Sequence, residues 1–496
     1  MMTDAFETSY RQGRSQMLVR TLPADLDTPV SAALKMLGER PYNFVLESVE
    51  GGEARGRYSF IGWAPDMLWR CKGGAAETAT LDPCHSNNAP VFQPAPQPPL
   101  EALQLAVSAA KIDQTGYEDI PVPGLVGYLG YDMVRHIEHL PNRPQGGLGM
   151  ADALLMRPTM VAIFDTVKDE LSLAAIVRPM PKQTAAQAFH QASKRLDDAI
   201  AALSKEVSRH VATQGHSGDV DIRVNVSRAA YCQNVETAKE LIKQGDIFQV
   251  VLSRRFEMPF SADSFSLYRA LRRLNPAPFL FHLKLGDASL IGSSPEILVR
   301  VRSNTVTLRP IAGTRPRGKT PAEDARLEQD LLNDPKERAE HLMLLDLGRN
   351  DVGRVAEPSS VKVTQAFQTE RYSHVMHIVS NVEGTLKADE SVTSALFAGF
   401  PAGTVSGAPK VRAMEIIDAM EKDARGPYAG AVGYFGTNGD MDSCIVLRTA
   451  ILKDETLYIQ AGAGIVADSD PMSEALECEH KAKAIIAAAQ SVLDTQ

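Results

Sequence analysis

Apolar and polar residues alternate over short stretches near the start of the chain, as in residues 43–63, NFVLESVEGGEARGRYSFIGW. A period of two is typical of strands with one buried face, and the glycines between the runs favour tight turns. This part of the chain is therefore predicted to form antiparallel strands.

Further along, longer helical patterns alternate with pairs of strands. Helices are predicted at 182–208, 228–244, 336–351 and 471–492. Strands are predicted at 124–132, 248–258, 279–286, 288–301, 305–310, 431–437, 443–452 and 456–461. Because most of these strands follow one another in pairs, the pattern favours an α+β fold with large antiparallel sheets over a doubly wound parallel fold.

Two polar segments are predicted to be connections. Residues 83–99 are rich in proline, which indicates an exposed loop. Residues 212–221, ATQGHSGDVD, are small and polar and are typical of a linker. The sequence is therefore divided into an N-terminal part, 1–220, and a C-terminal part, 221–496.

One short pattern occurs twice in the chain. Residues 124–130, GLVGYLG, and 430–436, GAVGYFG, share G-x-V-G-Y-x-G. Two interpretations are open: two similar strands that pack closely through their glycines, or two halves with the same topology. Seven residues are a weak match, and they favour the first interpretation.

Charge and composition narrow the functional class. With 52 Lys and Arg against 61 Asp and Glu, the net charge is −9, which argues against a general nucleic-acid binder. The N-terminus is polar, unlike a signal peptide, and the apolar runs are shorter than a membrane span requires. The five cysteines show no CxxC spacing, so reduced thiols in a cytoplasmic protein are expected. They are Cys71, Cys84, Cys232, Cys444 and Cys478.

Two pairs of glutamates are candidates for a metal site. Glu337 and Glu340 lie three apart in one predicted helix, and Glu474 and Glu477 have the same spacing in the last helix. This spacing places both carboxylates of a pair on one helix face. Facing pairs could bind Mg²⁺, which prefers oxygen ligands. Spacing alone favours the alternative of two solvated helix faces.

Gly-rich segments and an arginine indicate an anionic ligand. Residues 310–318, PIAGTRPRG, and 399–410, GFPAGTVSGAPK, offer backbone amides that could bind a carboxylate. Residues 458–466, YIQAGAGIV, permit close approach of a ligand to the backbone. Arg448 lies in the predicted strand 443–452, where it needs a buried acid or a ligand carboxylate as its partner. Together these segments predict a pocket for a small, multiply anionic molecule and Mg²⁺.

Several motifs of the C-terminal part resemble one known family, the chorismate-utilising enzymes, and within it the large subunits of anthranilate synthases. The resemblance implies the family's composite fold, in which both parts of the chain contribute to two packed antiparallel sheets between helices. It spans about residues 225–492 in order, and it continues more loosely into the N-terminal part through LES and GRYSFIG. The C-terminal motifs are PIAGTRPRG, KERAEHLMLLDLGRND, RYSHVMHIVS, FPAGTVSGAPKVRAMEII, YAGAVGYFG and QAGAGIVADSDPMSEALECEHKA.

The resemblance implies roles for individual residues. Glu340 and Glu477 match the Mg²⁺ ligands, with Glu474 close by through water. Glu337 matches a general acid–base group that serves the departing ring hydroxyl, and His377 matches the histidine of the later elimination. The residues that match substrate contacts are Gly313, Thr314, Thr404, Tyr428, Arg448, Gly462, Ala463 and Gly464.

Two positions indicate which member of the family the chain resembles. Sister enzymes that add water carry a lysine where this chain has Gln249, and aminodeoxychorismate synthases often carry one where it has Ala312. Ammonia is therefore the expected nucleophile, giving anthranilate and pyruvate from chorismate. The sequence contains no G-x-C-x-G motif, so a separate glutamine amidotransferase subunit, component II, is expected in a hetero-oligomer. The alternatives are an aminodeoxychorismate synthase component I and a non-catalytic amino-acid-binding regulator.

A regulatory site is also implied by the resemblance. LES, which contains Ser48, and NPAPFLF at 275–281 match the elements that bind tryptophan as a feedback inhibitor, with Pro278, Phe279 and Leu280 as contacts. The second element departs from the common NPSPYMF by apolar replacements of similar shape. The alternative is a loop that only packs the two parts of the chain together.

Overall fold

The computed structural model describes residues 2–50, 54–83, 89–207, 221–372 and 375–494. Cys84, residues 84–88 of the predicted loop and 212–220 of the predicted linker lie outside these ranges. The division of the chain at residue 220 therefore stays a prediction. No helix within the described ranges is both long and apolar enough to cross a bilayer.

The described residues contain eleven α-helices. Their bounds are α1 Asp4–Arg11, α2 Pro29–Met36, α3 Pro99–Ala110, α4 Ala185–Leu203, α5 Arg228–Lys243, α6 Ser264–Leu274, α7 Pro321–Asn333, α8 Pro335–Val355, α9 Val392–Ala398, α10 Lys410–Met420 and α11 Pro471–Leu493. Helices α1 and α2 were not expected, because the N-terminal pattern predicted strands alone. Each begins where a threonine side chain, Thr3 or Thr28, accepts a hydrogen bond from a backbone N–H of the first turn.

The described residues also contain 24 β-strands. Their bounds are β1 Gln16–Pro23, β2 Tyr42–Glu50, β3 Ala54–Trp63, β4 Met67–Lys72, β5 Ala75–Thr80, β6 Gln93–Pro94, β7 Pro123–Leu129, β8 Ala153–Arg157, β9 Met160–Asp165, β10 Glu170–Val177, β11 Arg223–Val224, β12 Gln249–Pro259, β13 Phe279–Leu285, β14 Ala288–Ser294, β15 Ile297–Arg302, β16 Thr305–Leu308, β17 Ile311–Pro316, β18 Lys362–Arg371, β19 Val375–Thr385, β20 Gly407–Ala408, β21 Ala431–Gly436, β22 Met441–Ile445, β23 Thr449–Lys453 and β24 Thr456–Ile465.

These strands form two large antiparallel sheets, as the sequence predicts. The first sheet has the order β1-β10-β9-β3-β2-β13-β14-β23-β24-β12-β11, and the second has the order β17-β19-β16-β15-β22-β21-β7-β8-β4-β5-β6. An apolar layer that includes Phe44, Tyr128, Phe281 and Val432 lies between the sheets. A larger core packs the helices against the sheets. The fold is therefore the expected α+β sandwich in which both parts of the chain contribute to each sheet.

The two sheets show that the halves of the chain repeat one topology. The first sheet is symmetric about the β2–β13 pair, and the second is symmetric about β21–β7. The two strands with the G-x-V-G-Y-x-G pattern are the central pair of the second sheet, with Gly127 opposite Gly433. The sequence favoured the first interpretation, in which the two strands only pack closely through glycines. The strands do pair through glycines, but they also occupy equivalent positions in two halves with the same topology.

The strand predicted at 443–452 is two strands in different sheets. Strand β22 ends at Ile445 in the second sheet, and β23 begins at Thr449 in the first. Arg448 lies at the crossing with a φ of +46°, in the left-handed region. An unbroken strand was expected because both segments are apolar, but the chain changes sheets between them.

Candidate active site

The N-terminus of helix α8 positions the first glutamate pair. The side chain of Asp334 accepts hydrogen bonds from the backbone N–H groups of Lys336 and Glu337, which fixes the first turn. Arg315 then contacts Glu337, with 3.2 Å between Nη1 and Oε1. Arg315 also pairs with Asp334 at 2.7 Å. These contacts hold the Glu337 carboxylate at the edge of the site.

Gly313 packs directly against this carboxylate. Its φ is +70°, and a Cβ at this position would lie 3.2 Å from Oε2 of Glu337. Any larger residue would therefore be strained in its backbone and would crowd the glutamate. Glycine at 313 keeps the space between β17 and α8 open.

Glu340, one turn further along α8, is the central carboxylate of the site. Oε1 lies 3.5 Å from the amide Nε2 of Gln249 on β12. Burial raises the pKa of Glu340, and the charges of Glu337 and Glu477 raise that pKa further. Burial, followed by the Glu477 charge, likewise raises the pKa of Glu474. The glutamates of the two helices therefore repel one another across a shared space.

One glutamate of this group, Glu477, forms an ion pair with a lysine. Lys481 Nζ lies 2.7 Å from Oε1 of Glu477 and donates to the carbonyl of Gly462 at 2.9 Å. The side chain of Glu477 is 47% exposed. It therefore forms a solvent-exposed ion pair with Lys481 and also lies at the edge of the site. The solvated-face alternative thus describes part of Glu477 but not the partly buried Glu340.

The donor set fits Mg²⁺ in the way this ion usually binds to proteins. Glu340 and Glu477 offer only oxygen ligands, and the repulsion between them would fall if a cation lay between the two helices. Within the described ranges, no three carboxylate, imidazole or thiol groups converge closely enough to enclose a metal ion. Mg²⁺ commonly binds through one or two carboxylates plus water and substrate oxygens, which matches this open arrangement.

His377 lies beside the Gly313 loop in a defined orientation. Nδ1 is 2.8 Å from the carbonyl oxygen of Gly313 and 3.1 Å from Oγ1 of Thr314. A carbonyl only accepts, so Nδ1 carries the proton and Nε2 is left as an acceptor in the neutral ring. Burial lowers the pKa of His377, which favours that neutral form.

Among the described residues, the guanidinium of Arg448 forms no ion pair with a carboxylate. Burial lowers its pKa from the usual value. Arginine stays charged under physiological conditions, so a partly buried guanidinium in this position is a strong site for a ligand carboxylate.

The Gly462–Gly464 segment packs against another predicted contact, Tyr428, and against Gln249. It lies inside β24 and pairs with β12, rather than following the strand. A Cβ at Gly462 would lie 2.7 Å from the Tyr428 hydroxyl oxygen, and one at Gly464 would lie 2.6 Å from Nε2 of Gln249. Ala463, between them, is buried. Small residues here let the backbone approach Gln249 and Tyr428 closely.

Glu296 is a site residue that the sequence did not reveal. Oγ1 of Thr404 lies 3.2 Å from each of its carboxyl oxygens. Burial raises the pKa of Glu296 to about 8, outweighing the hydrogen bonds from Thr404 and the Ile311 N–H group. The carboxyl group is therefore mostly protonated at neutral pH. The available signal was an acidic residue in the otherwise apolar run SSPEILVRV.

A second cavity, of about 550 Å³, lies between the two sheets. Ser48, Pro278, Phe279 and Leu280 all line it, and Phe279 is opposite Ser48 in the central β2–β13 pair. The structure therefore brings the four residues of the predicted regulatory site to one cavity.

One short segment separates the second cavity from the acid described above. Pro295 and Ile297 line the cavity, while Glu296 between them contacts Thr404. The wall between the two sites is thus one residue deep in this place.

The chain is similar to known proteins over nearly its whole length. The sequence profile of the chorismate binding enzyme family matches residues 53–487. Anthranilate synthase component 1 of Cereibacter sphaeroides is 50% identical over 493 residues, which cover 98% of this chain and 97% of that protein. The component 1 protein of Neisseria meningitidis serogroup B is 44% identical over 507 residues, covering 98% of both.

Solved structures show the same fold. Anthranilate synthase component I from Streptococcus pneumoniae superposes with a TM-score of 0.76 at 34% identity, covering 94% of this chain and 99% of that one. The menaquinone-specific isochorismate synthase from Escherichia coli superposes with a TM-score of 0.71 over 98% of this chain and 99% of that one. At 19% identity, the second likeness concerns the fold alone.

Proposed function

The chain belongs to the chorismate binding enzymes, and we propose that it acts as component I of an anthranilate synthase. The reaction converts chorismate and ammonia to anthranilate, pyruvate and water. Relatives named component 1 that match nearly the whole chain support this function.

The observation that carries the proposal is the position of Gln249. Its amide contacts Glu340 in the centre of the carboxylate group. A lysine in this position could remove a proton from water, whereas an amide cannot act as a base at neutral pH. Ala312, buried in β17, supplies no nucleophile either. An external amine is therefore the nucleophile that this site suits.

Chorismate carries two carboxylates, and the site offers two matching places. Arg448 is the proposed partner of the enolpyruvyl carboxylate, and Thr404 and Tyr428 are proposed as further substrate contacts. Glu340 and Glu477 would hold Mg²⁺, which when bound neutralises the ring carboxylate. The amides of the Gly462–Gly464 segment would border the ring. This arrangement orients the substrate before any bond changes.

Three residues are proposed to move protons. The departing ring hydroxyl needs an acid, and both Glu296 and Glu337 are candidates. Glu296 is mostly protonated near neutral pH, whereas Glu337 contacts the cationic Arg315, which favours Glu296. After ammonia adds at carbon 2, Nε2 of His377 is free to accept a proton during loss of pyruvate.

The wider setting is also part of the proposal. A separate glutaminase subunit, component II, would supply ammonia within a hetero-oligomer, and tryptophan would occupy the 550 Å³ cavity as a feedback inhibitor. The four described cysteines are free thiols, as a cytoplasmic enzyme requires. We also propose that residues 1–220 form a regulatory part and that residues 221–496 form a catalytic part.

Product identification tests the function directly. The purified chain is incubated with chorismate, Mg²⁺ and an ammonium salt at alkaline pH, and the products are separated by chromatography. Anthranilate and pyruvate in equal amounts are expected, with glutamine replacing ammonium only when component II is added. Accumulation of 4-amino-4-deoxychorismate or isochorismate would assign the chain to a sister activity, and absence of any turnover would favour a non-catalytic regulator.

A further inference from the structure

A small, partly open cavity lies behind the acid of the proposed active site. It has a volume of about 40 Å³ and is lined by residues of α8, the 399–404 loop and the segment before β17. Glu296 and Thr404 line it on one side, and Asp351 lines it on another. One water-sized molecule needs roughly 10–15 Å³ of such space, so there is room for about three.

Asp351 brings an unused acceptor to this cavity. The residue is only 3% exposed. Lys410 pairs with Oδ2 at 2.9 Å, whereas Oδ1 has no hydrogen-bond donor among the described residues. A buried carboxylate oxygen without a donor is costly, so the site favours a molecule that donates hydrogen bonds.

The rest of the lining narrows the chemistry of that molecule. Leu308, Pro310, Leu344 and Leu347 make most of it apolar, and Arg309 lies at its edge. The volume of about 40 Å³ limits the occupant to a small molecule. The occupant must also donate to Asp351 while lying next to Glu296. Ammonia, with three N–H groups, and ammonium, with four, satisfy these conditions, as does water.

We propose that this cavity is a binding site for ammonia or ammonium, from which the nucleophile reaches the ring of chorismate past Glu296 and Thr404. The inference rests on the proposed function, because that function makes ammonia a substrate. Asp351 holds the molecule through Oδ1, and the Lys410 pair fixes the orientation of that carboxylate. No bond to nitrogen is made or broken in the cavity.

Gly348 provides the means to test this assignment. It lines the cavity from within α8, and a Cβ there would meet Pro310 at 3.8 Å and Val382 at 3.9 Å, which are ordinary contacts. Gly348→Ala therefore adds a methyl group beside the cavity without a clash, and alanine favours a helix over glycine. Gly353→Ala is the matched control, because it adds the same group to the same helix with no atom within 4 Å.

The experiment measures ammonium-dependent anthranilate formation by the wild type and both variants. For Gly348→Ala we expect the KM for ammonium to rise at least fivefold, with the KM for chorismate within twofold and the melting temperature not lowered. Gly353→Ala should match the wild type in both KM values. Asp351→Asn, which removes the charge, should raise the ammonium KM in the same way if it folds.

The outcomes separate the two proposals. If the wild type forms no anthranilate from ammonium, the proposed function fails. If the wild type is active and Gly348→Ala has an unchanged KM for ammonium, the cavity assignment alone is wrong and its occupant is structural water. An equal rise in both KM values would also overturn the assignment, because it would indicate a distorted chorismate site.

Discussion

The ring of Tyr372 packs edge-on against the ring of His377, with 5.6 Å between their centroids and 62° between their planes. The Tyr372 hydroxyl donates to Glu370 at 2.9 Å, and Glu370 pairs with Arg309. Tyr372, Glu370 and Arg309 all line the 550 Å³ cavity. One side chain therefore contacts both the proposed catalytic histidine and the wall of the proposed regulatory site.

This contact predicts a selective effect for Tyr372→Phe. The ring that packs on His377 remains, so turnover without tryptophan should stay within about twofold. Loss of the bond to Glu370 should weaken coupling between the sites, which for allosteric proteins is typically about 5–150-fold. The measurement is the affinity for tryptophan with and without chorismate. Tyr434→Phe, which removes a hydroxyl elsewhere in the same cavity, is the control and should keep the full coupling. Equal coupling in Tyr372→Phe and wild type would exclude this route.

Glu296→Gln and Glu337→Gln decide which carboxyl is the acid. A positioned acid contributes ~10²–10⁴-fold, so the variant that removes it should lose that much turnover. We expect the larger loss for Glu296→Gln, in which the amide retains the contact with Thr404 but has no proton to give. Because the acid must be protonated, wild-type turnover, corrected for free ammonia, should fall as pH rises through about 8. This fall in turnover with rising pH should be absent in Glu296→Gln. A large loss in Glu337→Gln with a normal Glu296→Gln would restore the assignment made from the sequence.

The same carboxyl group predicts a change in stability with pH. The pKa of Glu296 is raised from 4.5 to about 8, so between these values the folded state keeps a proton that the unfolded state loses. The contribution of Glu296 to the free energy of unfolding therefore decreases as pH rises across that interval. Glu296→Gln should gain thermal stability relative to wild type at pH 8 compared with pH 5. Parallel melting curves of the two proteins across this interval would show no divergence if Glu296 titrates normally.

Much of the site could be predicted because its signals are local. Asp334 and Pro335 mark the start of α8, and the spacing of Glu337 and Glu340 on that helix needs no tertiary information. Paired strands with helices between them likewise indicated antiparallel sheets. These features depend on residues a few positions apart, where sequence patterns are most informative.

The features that were missed depend on contacts between distant segments. The residues near Arg448 give no sign that the chain changes sheets between β22 and β23. Both strands are apolar, so the sequence pattern is that of one continuous strand. Glu296 gains its unusual proton affinity from burial, and its hydrogen-bond partner Thr404 lies far along the chain. Helices α1 and α2 have eight residues each, too few to be stable without tertiary packing.

The metal proposal predicts a specific change in Mg²⁺ dependence. Glu340→Gln and Glu477→Gln each remove one charged ligand, so the Mg²⁺ concentration for half-maximal activity should rise at least tenfold. Thermal shift gives a readout besides activity, because a ligand of the folded state raises stability as its concentration exceeds its Kd. Asp346→Asn, on an exposed face of α8, is the control. If chelator abolished activity but both glutamine variants responded to Mg²⁺ like wild type, the ion would bind through other residues.

Ser48→Phe tests whether tryptophan binds in the 550 Å³ cavity. Oγ of Ser48 donates to the carbonyl of Tyr58 at 3.3 Å, and the side chain faces space that Phe279 and Leu280 also line. A phenylalanine ring would fill part of that space, so inhibition should be lost while turnover without tryptophan stays near wild type. A ligand shifts an equilibrium only by its differential affinity for the two states, so the loss must appear in calorimetric binding as well as in the inhibition curve. Ser48→Ala, which removes only the hydroxyl, should retain measurable binding. If Ser48→Phe binds tryptophan as tightly as wild type, the inhibitor site lies elsewhere. If millimolar tryptophan does not inhibit the wild type, the apolar replacements at Ala277, Phe279 and Leu280 have abolished the response.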